Sequence, residues 1–528
     1  MRRSVAATAA LALPAVLLAA SAGSGGMSAS ADVDPTWTHV GTYTTGLGAA
    51  SGEIASFNGD RLYVINTEDN SLDVVDASDP SDPQLVRRVR LDAYGAGPNS
   101  VAAQDGLVAV AVQADDKTDP GRVVFLNPAG KVLGTAQVGA LPDMVTFTPD
   151  GRRVVVANEG EPSGYLADSV DPAGTVSVID VRPGSVKKAT ARTANFGDFE
   201  RDELDGVRLN GPGASVQQDL EPEYVAVSRD SRTAWVTLQE NNAIATVDLG
   251  TATVTKVMPL GWKDHSVAGQ GLDASEEDGD INIAQWPLRG LFMPDAVAAS
   301  TIAGQQVLVT ANEGDGREYD GFEDEAEVED VTLAGTFGDS DAIEELQEDE
   351  NLGSINISAT DGLNAMGEHE ALYSFGSRSF TIWDAASGAR LYDSGDEFEQ
   401  IVAASEPDHF NADHEDNEFD SRSDNKGPEP EGVATGVVDG RTYAFVGLER
   451  IGGFMVYDIS DPSDASFVQW VNNRDFTLVD EEGEDAVGPD SGAEGVSFVP
   501  ASASPTGEPL VVVSNEITGT VSFFSPLG

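Results

Sequence analysis

The chain has 528 residues, of which 90 are acidic and 30 basic, giving a formal net charge of −60, and it contains no cysteine. Nucleic acid and anionic membrane surfaces are excluded as natural partners by that charge, because binding them needs a basic face. Disulfides, thiolate nucleophiles and Cys-ligated metals are excluded by the missing cysteines, so stability has to come from packing, with bound cations as a further available source.

Arg2 and Arg3 precede an Ala/Leu-rich run from Val5 to Ala20, followed by small residues that end in Ala29-Ser30-Ala31. This is the layout of a cleavable secretory signal over residues 1–31. The run is broken by Pro14 and is short for a membrane span of roughly 20 residues. Ser525-Pro526-Leu527-Gly528 carries no apolar tail or sorting motif. The expectation is a secreted, extracellular monomer without stable membrane insertion, formed by residues 32–528.

From there one pattern repeats. A small residue or Pro is followed by a polar, mostly acidic residue and a short apolar strand, then a turn, a second strand ending near Asn-Glu, and a third ending near Asp. The seven openings are Gly52-Glu53, Pro98-Asn99, Pro142-Asp143, Pro222-Glu223, Pro294-Asp295, Pro430-Glu431 and Ala493-Glu494. Second strands follow at 61–65, 107–112, 153–157, 234–238, 306–310, 442–447 and 510–514, rich in Val and bounded by turns such as Asn58-Gly59-Asp60 and Pro149-Asp150-Gly151. Third strands lie at 72–76, 122–126, 175–180, 243–248, 379–384, 453–458 and 520–524, with fourth strands visible at 84–91, 254–260 and 467–471. Four antiparallel strands in each of seven repeats predict an all-β, seven-bladed β-propeller. The last repeat stops after its third strand, and the unpaired segment 36–43 supplies the missing outer one, closing the ring. Long inserts fall at about 184–220, 262–292, 316–377 and 397–428, and loops of that length are where a site is built or covered.

In a propeller the innermost strands line the channel, so Glu53, Asp143, Glu223, Asp295, Glu431 and Glu494, with Asn99, are expected to converge on one rim. Crowded carboxylates either keep their protons or bind cations, and an all-oxygen donor set favours Ca²⁺. A local alternative is that each acid caps backbone N–H groups at a strand entry. Further candidate ligands are Glu159 and Glu161 in Asn-Glu-Gly-Glu and Glu313 and Asp315 in Asn-Glu-Gly-Asp, where the glycine lets backbone approach a ligand. The inserts add Asp264, His265, His369, His409 and His414. Lys263, Arg317, Arg378, Arg422 and Lys426 form a candidate anion clamp. The run from Asp273 to Asp280 fails the EF-hand register, because counting back from Gly279 puts Ala274 at the first ligand position. No nucleophile elbow, zinc-protease, P-loop or dinucleotide motif occurs, so no organic cofactor is expected.

Several longer stretches resemble the choice-of-anchor I family of exported bacterial proteins, which is similar to mesenchyme-specific cell-surface glycoproteins. They are Gln218-Asp-Leu-Glu-Pro-Glu-Tyr224, Leu238-Gln-Glu-Asn-Asn-Ala-Ile244, Lys263-Asp-His265, Ala311-Asn-Glu-Gly-Asp-Gly-Arg-Glu-Tyr319, Gly376-Ser-Arg-Ser-Phe380 and Ser421-Arg-Ser-Asp-Asn-Lys-Gly-Pro-Glu-Pro-Glu-Gly432. The resemblance covers essentially the whole mature chain and implies a propeller in an extracellular setting. The expected function is binding of a divalent cation, calcium first, together with an unidentified extracellular ligand. The alternative, by analogy with acidic propeller phytases, is a metal-dependent phosphoesterase in which the rim cations polarise the phosphate.

Overall fold

The computed structural model describes residues 34–182, 186–415, 417–478 and 488–527. The leader expected at 1–31 lies outside them. Among the described residues seven four-stranded antiparallel sheets follow one another along the chain. Blade 1 runs through Ala55–Asn58, Arg61–Asn66, Ser71–Asp76 and Gln84–Arg90. Blades 2, 3 and 4 begin at Gly97, Pro142 and Val225, blade 5 at Val297, blade 6 at Pro430 and blade 7 at Ala493. Blade 7 is completed by Trp37–Thr44, which pairs antiparallel with Thr520–Pro526, Trp37 opposite Pro526 and Thr44 opposite Thr520. The expected ring closure by an N-terminal strand is therefore what the chain does.

The second and third strands of each blade are nearly all buried because both of their faces meet a neighbouring blade, which is why they read as unbroken Val/Ala runs rather than an alternation. Seven apolar clusters fill the seven gaps. Tyr63 and Val108 meet between blades 1 and 2, Phe125 and Val154 between 2 and 3, and Val155 and Val236 between 3 and 4. Trp235 and Trp383 join blades 4 and 5, Phe380 and Tyr457 blades 5 and 6, and Phe445 and Val511 blades 6 and 7. Leu62 and Val512 close the circle between blades 7 and 1. Each such side chain contributes about 1.5–3 kcal/mol by leaving water, spread evenly around the ring.

The inserts have structure of their own. Part of 184–220 is blade material, since Ala191–Asn195 is the outer strand of blade 3. Segments from 262–292 and 316–377 build one five-stranded sheet, in which Leu288–Leu291 pairs parallel with Leu372–Ser374. The acidic stretch after Asp339 forms the helix Ser340–Leu346, capped by the Asp339 side chain, which accepts from the Ala342 N–H. A second helix, Glu397–Ser405, buries Phe398 and Val402 against blades 5 and 6.

Candidate metal centre in the propeller channel

The rim acids are positioned by a repeated backbone device. In blade 3, Pro142 faces Asn158 and Val145 faces Val156, so Asp143 and Met144 share one opposing residue. The same extra residue appears at Glu431-Gly432 in blade 6, at Glu494-Gly495 in blade 7 and at Asn99 in blade 2. A bulge bends the strand and re-aims a side chain. Two residues before the acid the backbone is left-handed at Leu141 (φ 42°), Met293 (φ 38°), Glu429 (φ 54°) and Gly492 (φ 77°). For residues with a Cβ this costs of order 1–3 kcal/mol each and persists where the surroundings enforce it.

Asn99, Asp143, Glu223, Asp295, Glu431 and Glu494 line one cavity of about 320 Å³, together with Tyr224, Gln239 and Glu313. Glu53 is turned to the Thr67 hydroxyl, which donates to it. Burial pushes Asp143 up to about 7, with Glu161 adding to it, and burial pushes Glu53 up to about 7 as well. Glu223, Asp295, Glu431 and Glu494 are held well above the usual carboxylate range, by burial first and then by the acids around them. Glu223 Oε2, Glu431 Oε2, Glu494 Oε2 and Glu240 Oε2 are buried without a hydrogen-bond partner. Local capping does not account for an acid whose oxygen faces nothing.

Four groups bring three ligand atoms within 4.8 Å of one another: Asp143, Glu159 and Glu223; Asp295, Glu313 and Glu431; Glu313, Glu429 and Glu449; and His414, Glu449 and Glu516. Shared members make the last three a continuous arc. Glu161 and Asp315 line a second acidic recess of about 420 Å³, with Lys117, Glu240, Tyr319 and Glu325. Asp264, His265, His369 and His409 join none of these groups. Asp264 accepts from the Ser266 N–H at 3.0 Å. His265 is buried with Nδ1 2.7 Å from the Gln270 carbonyl, and burial, then Lys263 and Arg378, hold it well below the usual imidazole range. His369 is buried between backbone segments of the insert, and burial lowers it too. His409 stacks on Phe476 and sits 2.9 Å from Glu406.

The five cations grouped as an anion clamp are each engaged by the chain itself. Lys263 Nζ donates to the carbonyls of Ser377 and Gly395 at 2.5 and 2.7 Å. Arg317, fully buried, holds Asp219 and Glu221 at 2.7 and 2.8 Å. Arg378 pairs with Glu399 at 2.6 Å and Arg422 with Glu429 at 3.1 Å. Lys426 lies behind the cavity-lining Glu313, 3.0 Å from it and 2.6 Å from Glu429. Burial disfavours its charge, but Glu313, Glu429 and Asp315 outweigh this and raise it well above the usual lysine range. Glu429 in turn, despite burial, is held far below its usual value by Lys426, Arg450 and Arg422.

The Asn that ends the second strand in blades 3, 5 and 7, just before an acid, is structural. Asn158 Nδ2 donates to Thr175 and Ser177, Asn312 Nδ2 to Ser379 and Thr381, and Asn515 Nδ2 to Thr520. The glycine of each Asn-Glu-Gly motif also serves the chain rather than a ligand. A Cβ on Gly314 would lie 1.9 Å from the Gly376 nitrogen, and one on Gly160 2.8 Å from the Ala173 carbonyl. Sequence reasoning did not single out Glu221 or Glu429, and it read the recurring strand-end acids Glu240, Glu449 and Glu516 equally as turn residues and as site residues. The doubled acid of Glu221-Pro222-Glu223 and Glu429-Pro430-Glu431 was the available signal for the first two.

Residues 53–462 match the choice-of-anchor I domain. Gigasin-3a of Magallana gigas is 34% identical over 194 residues, covering 35% of this chain and 68% of that protein. The mesenchyme-specific cell surface glycoprotein of Strongylocentrotus purpuratus is 30% identical over 288 residues, 48% of this chain and 37% of that protein, so the match spans little more than a third of it. Among solved structures, hydrazine synthase of Kuenenia stuttgartiensis aligns with a TM-score of 0.45 at 12% identity, over 91% of this chain and 98% of that one. The Cps50 (Swd1) β-propeller domain of Myceliophteria thermophila aligns at 0.46 and 8% identity, over 93% and 99%. No helix among the described residues is long and apolar enough to cross a membrane. The chain belongs to the choice-of-anchor I family.

Proposed function

We propose that this protein is an exported binding propeller that holds divalent cations, Ca²⁺ first, in its channel and uses the occupied channel to take an extracellular ligand. The observation that carries the reading is the pair of carboxylate triads Asp143, Glu159, Glu223 and Asp295, Glu313, Glu431, whose ligand atoms lie within 4.8 Å of one another in each triad. Asp143, Glu223, Asp295, Glu313 and Glu431 line the same cavity, and Glu223 and Glu431 each keep an unpaired oxygen. Carboxylate oxygens alone suit a hard cation of flexible coordination. The triad at blades 3 and 4 is the leading position, because Lys426 already neutralises Glu313 on the other side. Export is supported by the layout of the leader and by the surface location in the sea-urchin relative's name. Binding is favoured over phosphoester hydrolysis because the cations that would clamp a phosphate are paired with the chain's own groups.

The test is a thermal melt and a metal analysis of chelator-stripped full-length protein before and after Ca²⁺. A ligand at 100 times its Kd stabilises by about 2.7 kcal/mol, so Ca²⁺ should raise Tm, and Glu223→Gln with Asp143→Asn should abolish most of that rise. Equal melts with Ca²⁺ and with chelator, and no bound metal, would sink the proposal.

A further inference from the structure

Outside the channel, the inserts 262–292 and 397–428 meet around a set of buried acids that the channel does not use. Asp273 and Asp420 are both 0% exposed. Asp273 accepts from the Asn282 N–H through Oδ2, and its Oδ1 has no partner. Asp420 accepts from the Ser423 hydroxyl through Oδ1 at 2.5 Å, and its Oδ2 has no partner. Asn411, also 0% exposed, leaves its Oδ1 unpaired while its amide donates to Glu399 and to Ser423. Glu399 links the set, because its Oε2 accepts from the Asp273 N–H at 3.0 Å and its Oε1 binds Arg378 at 2.6 Å.

The charge count is uneven. Arg378 and Glu399 neutralise each other, while neither Asp273 nor Asp420 has an ion-pair partner among the described residues. Two carboxylates are thus taken out of water without an ion pair of their own, a costly arrangement unless a proton or a cation compensates. Burial pushes each up to about 7, and each is raised further by Glu399 and Asp278.

We propose that Asp273, Asp420 and Asn411 form a second divalent-cation site, separate from the channel, that fastens the two inserts together. Two carboxylate oxygens and one amide oxygen, each buried without a hydrogen-bond partner on residues joined through Glu399 and Ser423, are the donor types Ca²⁺ takes. The site accounts for the Asp273–Asp280 run, which lacks the EF-hand register because one of its ligands comes from a segment almost 150 residues later. It also bears on the channel. The Ser423 and Asn425 carbonyls bind Arg378, so an ion here would order the stretch that carries Lys426, the partner of the cavity-lining Glu313.

Trp286 makes this site readable on its own, since its Nε1–H donates to the carbonyl of Leu272, next to Asp273. Full-length protein is stripped with chelator and titrated with Tb³⁺ under tryptophan excitation, and Ca²⁺ stoichiometry is measured in parallel. Wild type should show sensitised emission that Ca²⁺ displaces. Asp420→Asn should lose that emission and bind one Ca²⁺ fewer per chain, with its far-UV spectrum unchanged. Trp286→Phe, which keeps every ligand, should lose most of the emission and keep the stoichiometry. A folded Asp420→Asn variant with wild-type stoichiometry would overturn the site, as would undiminished emission from Trp286→Phe, because the ion would then lie elsewhere or protons alone would balance the charge. Glu223→Gln should leave the Trp286-dependent emission intact, so failure of the channel reading and failure of this one are told apart.

Discussion

The raised carboxylates of the channel make its cation affinity a function of pH, with a sign that can be worked out. Asp143 stands at about 7 against an ordinary 3.8. In chelator the folded chain therefore keeps a proton that the unfolded chain gives up between about pH 4 and 7. Stability is greatest below that window and falls as pH rises through it, the loss being complete above about pH 7. For this one group the change is about 4 kcal/mol, since every pH unit between the two values is worth about 1.36 kcal/mol. Ca²⁺ has to displace the same proton. At pH 5 a carboxyl with a value of about 7 is about 99% protonated, so the apparent affinity should be about 100-fold weaker than at pH 8, and weaker still as Glu159 and Glu223, also raised by burial, keep their protons. Calorimetric titration of Ca²⁺ from pH 8 to pH 5, in two buffers of different ionisation heat, measures the affinity and the protons released. An affinity that is flat across this range, or binding without proton release, would refute the assignment of these acids as ligands.

Other substitutions probe the parts separately. Arg317→Met removes the cation that bridges Asp219 and Glu221, all three with fully buried side chains, and should cost about 3–5 kcal/mol of unfolding free energy, read as a lower urea midpoint. Lys426→Met strips the internal counter-charge from Glu313 and Glu429. It should lower Tm in chelator and widen the gap between melts with and without Ca²⁺, whereas an unchanged gap would show that no ion reaches those acids. Asn158→Ala deletes the hydrogen bonds to Thr175 and Ser177 and should cost about 1–3 kcal/mol while leaving Ca²⁺ affinity unchanged, which separates the structural Asn from the adjoining Glu159.

Fold and rim were legible for one reason: both are written once per repeat. The acid after Pro142, Pro222, Pro294 and Pro430 recurs at a fixed offset from a Val-rich strand, and that offset becomes an angle around the ring axis once each blade is laid against the next. Single-copy features were not legible. The buried partner of Asp219 is Arg317, 98 residues away, and the strand that pairs parallel with Leu288–Leu291 is Leu372–Ser374. Such contacts come from inserts folding over the ring, with no periodicity to index them. The histidines misled for a related reason. In sequence His265 and His369 sit among polar residues and resemble exposed ligands, but the insert sheet buries both.

Blades 4 and 6 show how the molecule tolerates so many acids at its centre. Each spells Glu-Pro-Glu, and the two acids of each motif meet different surroundings, although Glu221, like Glu223, keeps one buried oxygen unpaired and is pushed up by burial, to about 7. Glu221 and Glu429 are met by built-in cations, Arg317 in one case and Lys426, Arg422 and Arg450 in the other. Glu223 and Glu431 face the cavity, each with an oxygen unpaired. Blades 3 and 5 spell Leu-Pro-Asp and Met-Pro-Asp, so the position that elsewhere carries the compensated acid is apolar, while Asp143 and Asp295 still line the channel. Among the described residues the chain thus supplies cations for the first position and none dedicated to the second. Were the inner acids only tolerated by-products of an acidic composition, the scarce basic residues would be expected beside them, where the desolvation cost is highest. Instead Arg317, Arg422 and Arg450 serve the outer acids, and of the inner set Glu313 alone, among the described residues, has a lysine. That distribution leaves the cavity-facing oxygens dependent on protons below about pH 7 and on an added cation above it.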